Sequence, residues 1–173
     1  MRHARSVGLT LMVIVLLWSV VAEAAEPRCL VVDVYAASTD ESAVPLTAKL
    51  EAFAKERRGV VVVRRFIDTV KEDREALEAV GTKLGVAVDA LPLVVACGIA
   101  IPKLGDPVAV VRRLEEVLRI EVYTRAGCSR CARAKEWLPS VTADYPGLQS
   151  VVFDLTSDAQ ARGAMNDLVH RHK

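Results

Sequence analysis

The sequence predicts an α/β fold with helices on both faces of a sheet, and three observations carry that expectation. Runs of β-branched and apolar residues alternate with segments of helical period along the chain. One run, Val60 to Ile67, has the continuous apolar character of a strand covered on both sides. Finally, the alternation starts afresh near residue 119, so the chain reads as two consecutive units of one kind.

The elements follow in order. Leu30-Val-Val-Asp-Val-Tyr-Ala36 is a buried strand, and Ser38 to Ser42 is turn-like. Leu46, Leu50 and Phe53 recur at helical spacing, and Pro45 is tolerated near a helix start, which predicts a helix over 45–57 ended by Gly59. Val60 to Ile67 is the second strand. Leu77, Val80 and Leu84 form one stripe of a helix over 71–84, closed by Gly85. Leu91-Pro-Leu-Val-Val-Ala96 is a third strand and 98–101 a short fourth. Asp106-Pro107 opens a helix that turns Val108, Val111, Leu114 and Leu118 inward.

The second unit reads Arg119 to Thr124 as strand, 129–142 as helix, Leu148 to Leu155 as strand and 157–170 as helix. Ser157 or Asp158 caps the last helix, and Ala161, Met165 and Leu168 face inward. No Gly/Ser linker or low-complexity tract separates the units, so they should abut. The expected domains are therefore 25–118 and 119–173, preceded by a leader over 1–24.

That leader has the form of a secretory signal peptide. Arg2 and Arg5 precede an apolar run from Val7 to Val21, and Ala22-Glu-Ala24 is a small-residue cleavage site. The alternative is a membrane anchor over 7–21, for which the run falls short of the roughly 20 residues that span a bilayer. The expectation is export to the periplasm or beyond the cell, where disulfides persist. The whole chain has 23 basic and 22 acidic residues. Removing Arg2, Arg5 and Glu23 leaves 21 of each sign among 149 residues, which gives no electrostatic reason to expect a nucleic-acid partner. Four cysteines are too few to build a disulfide scaffold, so an ordinary apolar core must carry the fold.

Both units resemble the thioredoxin superfamily, and the resemblance covers nearly all of 25–173. In the first, Val31-Val-Asp-Val-Tyr-Ala36 is similar to the strand that leads into a thioredoxin active site, and Leu91-Pro92 to the family's cis-proline. The cysteine positions are filled by Thr39 and Ser42, whose hydroxyls form no disulfide, so the resemblance implies a unit without a redox centre. Asp33 stands where thioredoxins keep a buried acid beside the resolving cysteine. With no such cysteine here it reads as a solvated or hydrogen-bonded leftover. The second unit resembles a glutaredoxin opening, Ile120-Glu-Val-Tyr-Thr-Arg-Ala-Gly-Cys-Ser-Arg-Cys-Ala-Arg-Ala-Lys135. The family would continue past Lys173 into its cis-proline strand, hairpin and last helix. The expected architecture is thus a thioredoxin-like mixed sheet with helices on both faces, one complete unit plus a partial βαβα unit, and a chain that is a fragment of a longer protein.

The chemistry expected of Cys128 and Cys131 follows from their place. A thiol attacks a disulfide only as its thiolate. Cys128 falls at the first turn of a helix, where unpaired N–H groups and the helix dipole favour an anion, and Arg125, Arg130 and Arg133 add positive charge. Cys131 is placed to resolve a mixed disulfide. The expectation is an exported protein thiol-disulfide oxidoreductase that uses no cofactor, with Cys128 as nucleophile and Cys131 as resolving thiol. Its partners would be a protein carrying a disulfide or dithiol and, for reductive work, a membrane thiol-reductase as electron donor.

Other readings of the same residues stand beside it. Haem attachment is excluded, because Ala132 rather than His follows Cys131. A structural zinc site needs four ligands, and no second C-x-x-C exists. A local structural staple, a thiolate carrier of copper or zinc, and a redox-inert adaptor remain open. His170 and His172 form an H-x-H. Tyr123 and Trp137 read mainly as core, and Lys71-Glu-Asp-Arg-Glu75 as a solvated face. In the resembling fold the first and third strands are antiparallel neighbours, which implies a Cys29–Cys97 structural disulfide. Closing so long a loop would contribute on the order of 4 kcal/mol.

Overall fold

A computed structural model describes residues 27–101 and 105–171. The expected signal peptide, its anchor alternative over 7–21 and His172 lie outside them. No helix among the described residues is long and apolar enough to cross a membrane.

The fold is α/β. In the first unit, strands β1 (Leu30–Ala36), β2 (Val60–Phe66), β3 (Leu93–Ala96) and β4 (Ile99–Ile101) form one mixed sheet in the order β2-β1-β3-β4. β1 runs parallel to β2, with Leu30 opposite Val60 and Ala36 opposite Phe66. β1 is antiparallel to β3, and β3 to β4. Between the strands lie helices α1 (Ala43–Glu56) and α2 (Lys71–Leu84), with α3 (Pro107–Val117) after β4.

The alternation of side chains along β1 assigns the layers. Val32 and Val34 face α1 and α3, in a core with Leu46, Leu50, Val94, Ile101, Leu114 and Leu118. Tyr35, with Leu93 and Val95 of β3, faces Leu77 of α2. Two helices therefore cover one face and one covers the other, as the apolar strands require. The Leu91–Pro92 peptide bond is cis, and Pro92 is buried at the entry to β3.

In the second unit, β5 (Arg119–Thr124) and β6 (Gln149–Asp154) pair in parallel as a separate two-stranded sheet. α4 (Ser129–Asp144) connects them and α5 (Ala159–Arg171) follows. Leu138, Ala161 and Thr124 are the only buried side chains on these four elements. Burying one leucine contributes about 1.5–3 kcal/mol, and in the first unit Leu50, Leu114 and Leu118 are all fully buried. The second unit thus has little buried core of its own.

The two units meet closely. Leu148 packs on the core of the first unit. Gly147 lies so near Gly59 and Val60 that an added Cβ would sit 2.8 Å from Val60 Cγ2 and 3.1 Å from the Gly59 carbonyl oxygen. The Arg28 N–H donates to the Asp144 carbonyl at 2.7 Å, and the Arg28 guanidinium donates to the Tyr145 hydroxyl at 2.9 Å.

The bounds of α1, α4 and α5 differ from the sequence expectation, α5 running Ala159–Arg171 rather than over 157–170. α1 starts at Ala43, two residues before Pro45. A first-turn N–H has no partner within the helix, so proline costs no hydrogen bond there. α4 runs through Pro139 to Asp144 and forgoes one internal hydrogen bond.

Candidate functional site

β5 ends at Thr124, and the chain turns through Gly127 at φ 72° before α4 begins. A positive φ there suits glycine and strains other residues. Cys128 is the N-cap of α4, in extended conformation (φ −90°, ψ 104°). Its sulfur accepts the Cys131 backbone N–H at 3.2 Å. Cys128 and Cys131 are joined as a disulfide, with their Cα atoms 5.3 Å apart. The chain reversal that presents Cys128 and the first turn that brings Cys131 under it both come from the local sequence.

An open cleft of about 420 Å³ surrounds the pair, with Arg125, Gly127 and Lys135 in its lining. Among the described residues no acidic side chain lines it. Arg125 lines the cleft. Arg130 and Arg133 are exposed on α4 and do not line the cleft, because the helix turns them away from the Cys128 sulfur. Lys135, which the sequence reasoning did not single out, stands there instead, one helical turn after Cys131.

A second loop braces the first. The Ala126 N–H donates to Thr156 Oγ1 at 2.9 Å, and the Thr156 N–H donates to Asp154 Oδ1 at 2.9 Å. Thr156, through its backbone N–H first and its side chain second, holds the Asp154 carboxyl below its ordinary value, with smaller help from Ser157 and from the charge of Lys135. Neither Asp154 nor Thr156 was foreseen. The signal available is an Asp-x-Thr at the end of a strand running parallel to the one before the cysteines.

In the first unit, Ser42 and cis-Pro92 line one small pocket with Leu46. Ser42 Oγ donates to Asp40 Oδ1 at 2.7 Å, and Thr39 is exposed in the turn before α1. The cleft at Cys128 does not include Pro92. The cis-proline and the C-x-x-C belong to different units.

Several expectations need correction. Cys29 and Cys97 are free and exposed. Ala96 is opposite Val32, and the chain then leaves the ladder through Cys97 (φ 52°) and Gly98 (φ 72°). β3 therefore ends three positions short of the level of Cys29. The Cys97 thiol is pushed above its usual value by desolvation of its sulfur, although the residue as a whole is exposed. Trp137 is 62% exposed rather than core, since a two-stranded sheet cannot cover the whole circumference of α4. Tyr123 stacks on Phe153 at 5.1 Å and donates to Glu121 at 2.8 Å, so it serves the sheet and not the cleft.

Asp33 is hydrogen-bonded, as one of the two readings had it. It accepts from Arg65 Nε at 2.8 Å, and Arg65 reaches Asp73 at 3.3 Å. Asp73 also accepts the Phe66 N–H at 2.8 Å. Asp73 is thus buried inside the Lys71–Glu75 stretch expected to be a solvated face. Among the described residues no group of three or more His, Cys, Asp or Glu side chains is placed to hold a metal ion. No protein-family model, curated protein or solved structure matches the chain.

Proposed function

We propose that the protein is an exported thiol-disulfide oxidoreductase built from two thioredoxin-like units, with its only redox centre at Cys128 and Cys131. The observation that carries this reading is the disulfide at the start of α4, where a backbone N–H meets the Cys128 sulfur inside an open cleft free of carboxylates. That N–H, the helix terminus and Arg125 all favour negative charge on Cys128 once the pair is reduced.

In the reductive direction the Cys128 thiolate attacks one sulfur of a partner disulfide. The partner S–S bond breaks, a mixed disulfide forms, and the released partner thiolate takes a proton. The Cys131 thiolate then attacks the Cys128 sulfur and expels the second partner thiolate. Two electrons pass to the partner, and the pair ends as the disulfide seen here. A membrane thiol-reductase would return those electrons. In the oxidative direction a partner dithiol traverses the same steps in reverse. The first unit, with Ser42 beside cis-Pro92, serves as an inert platform on which the second is held.

The test is the fate of each cysteine across glutathione redox buffers, with alkylation and mass mapping. Opening of Cys128 and Cys131 together between about −120 and −270 mV supports the reading. A pair that stays closed well below about −300 mV is a structural staple, and the adaptor reading then takes its place. Stoichiometric Cu(I) held by both thiolates of the reduced protein would instead favour a metal carrier.

A further inference from the structure

A second groove, of about 440 Å³, adjoins the disulfide cleft, and the two share Arg125. Leu155 and Met165, both half-buried, supply its apolar lining, and Asn166 is exposed at its side. Arg162 is fixed there by donating to the Leu155 and Thr156 carbonyls at 2.8 and 3.2 Å. Those neutral acceptors leave its charge uncancelled. Arg125 has no carboxylate within ion-pair reach among the described residues, and no acidic side chain lines either groove.

Of the nearby carboxylates, Asp158 caps α5 by accepting the Ala161 N–H at 2.9 Å, and Asp154 accepts the Thr156 N–H and lies within the influence of Lys135. The combined surface is therefore an apolar slot and a reactive disulfide joined by a cation, Arg125, with further positive charge from Arg162. A partner that fits it presents its own cysteine, a carboxylate and an apolar side chain close together in extended chain.

We propose that this double groove docks an acidic, apolar segment flanking the reactive cysteine of a protein substrate, with the carboxylate on Arg125 and the apolar side chain between Leu155 and Met165. The proposal rests on the thiol-disulfide reading and names the substrate class of that site. Exchange proceeds by the steps already given, and a dithiol such as dithiothreitol supplies the two electrons for each turnover in vitro.

The test compares disulfide-linked peptides with the wild-type protein, using 2-hydroxyethyl disulfide as a small neutral reference. A peptide with Glu and Leu beside its cysteine should exceed its Lys-Leu counterpart in kcat/KM by about tenfold at low salt. The gap should shrink as salt rises. A Glu-Ser peptide should fall between them. Met165→Glu should lower the ratio of the Glu-Leu rate to the reference rate about tenfold, a ratio that loss of folded protein does not alter. Exchange with the reference but no preference among peptides overturns the docking proposal alone. So does a rate with glutathione disulfide above that of every peptide. Absence of exchange with every substrate overturns the redox reading and the docking proposal together.

Discussion

The backbone N–H of Cys131 points at the sulfur of Cys128 from 3.2 Å, so the two cysteines of the pair are not equivalent. The sulfur at the N-cap receives the N–H, although both cysteines line the cleft. The other sulfur lies one turn into the helix. Cys128→Ser should therefore abolish exchange, with a loss above about 10³-fold, the scale seen when a nucleophile is removed. Cys131→Ser should keep the first step and accumulate a mixed disulfide with the partner. Non-reducing gels of each variant with a disulfide substrate distinguish the two, and trapping by Cys128→Ser but not by Cys131→Ser would reverse the assignment of roles.

The loop after β1 carries a pH dependence of stability. Ser38 donates its hydroxyl to Asp68 at 2.6 Å and its N–H at 2.8 Å. These two bonds, the hydroxyl's first, hold the Asp68 carboxyl below its ordinary value of 3.8. A carboxyl lowered by folding contributes stability that is complete above 3.8 and lost as pH falls through the lower folded value. Asp68→Asn should thus be less stable than the wild type at neutral pH, and the gap should close at acid pH. Urea midpoints of both proteins at a series of pH values measure it. A gap that widens on acidification would contradict the assignment.

The seam between the units tests whether the second depends on the first. Gly147→Ala places a methyl group 2.9 Å from Leu30 Cδ1 and 3.1 Å from the Gly59 carbonyl oxygen. Leu30 can rotate away, but the Gly59 oxygen is fixed, since it accepts the Leu30 N–H at 2.7 Å. Overpacking of this kind costs about 1–3 kcal/mol. The expected outcome is faster hydrogen exchange at the Leu30 and Arg28 amides, together with cleavage of the second unit by protease before the first. Unchanged exchange at both amides would mean that the units are not locked here.

Arg65 joins two carboxylates on two elements, and its loss should be felt at both. Arg65→Ala leaves Asp33 and Asp73 without their cation, and their side chains are only 22% and 10% exposed. Hydrogen bonds to charged groups contribute about 1.5–3 kcal/mol, and solvent reaching Asp33 argues for the lower part of that range. Arg65→Lys should recover less than half of the loss, since one ammonium cannot reproduce the separate Nε and guanidinium nitrogen contacts. Denaturant unfolding of both variants gives the comparison.

The parts of this molecule that sequence made legible are those fixed by short-range pattern. The strand run from Leu30 to Ala36, the helical stripe of Leu77, Val80 and Leu84, and the glycine turn into Cys128 each depend on neighbours within about one helical turn. The cis-proline at Pro92 was expected only from the resemblance of Leu91-Pro92 to the thioredoxin family, not from any local pattern. What stayed hidden depends on how separate elements meet. Asp73 sits in a charge-rich stretch, and only the approach of α2 to β2 turns it towards Arg65 and the Phe66 N–H. Trp137 has the spacing of a core residue, but the sheet it would pack on has two strands. Thr156 lies 30 residues from Ala126, and the parallel pairing of β5 with β6 alone brings them together.

Cys97 carries the last prediction, since the same geometry that keeps it from Cys29 makes it a poor residue for its place. β3 and β4 pair with Ala96 opposite Ile99, so the hairpin loop is Cys97-Gly98 alone. Both residues have positive φ, 52° and 72°, which is the turn that follows the twist of paired strands and favours Asn-Gly. Cysteine strains in that region, whereas asparagine tolerates it. Cys97 is an exposed residue outside both core clusters, so exchanging its side chain leaves the core in place. Cys97→Asn should therefore stabilise the protein by about 0.5–1 kcal/mol, and Gly98→Ala should destabilise it by about 1 kcal/mol or more, although its Cβ would meet nothing within 4 Å. Urea unfolding under reducing conditions checks both. If Cys97→Asn is instead less stable than the wild type, cysteine at this turn is serving an interaction that its free thiol in this structure does not display.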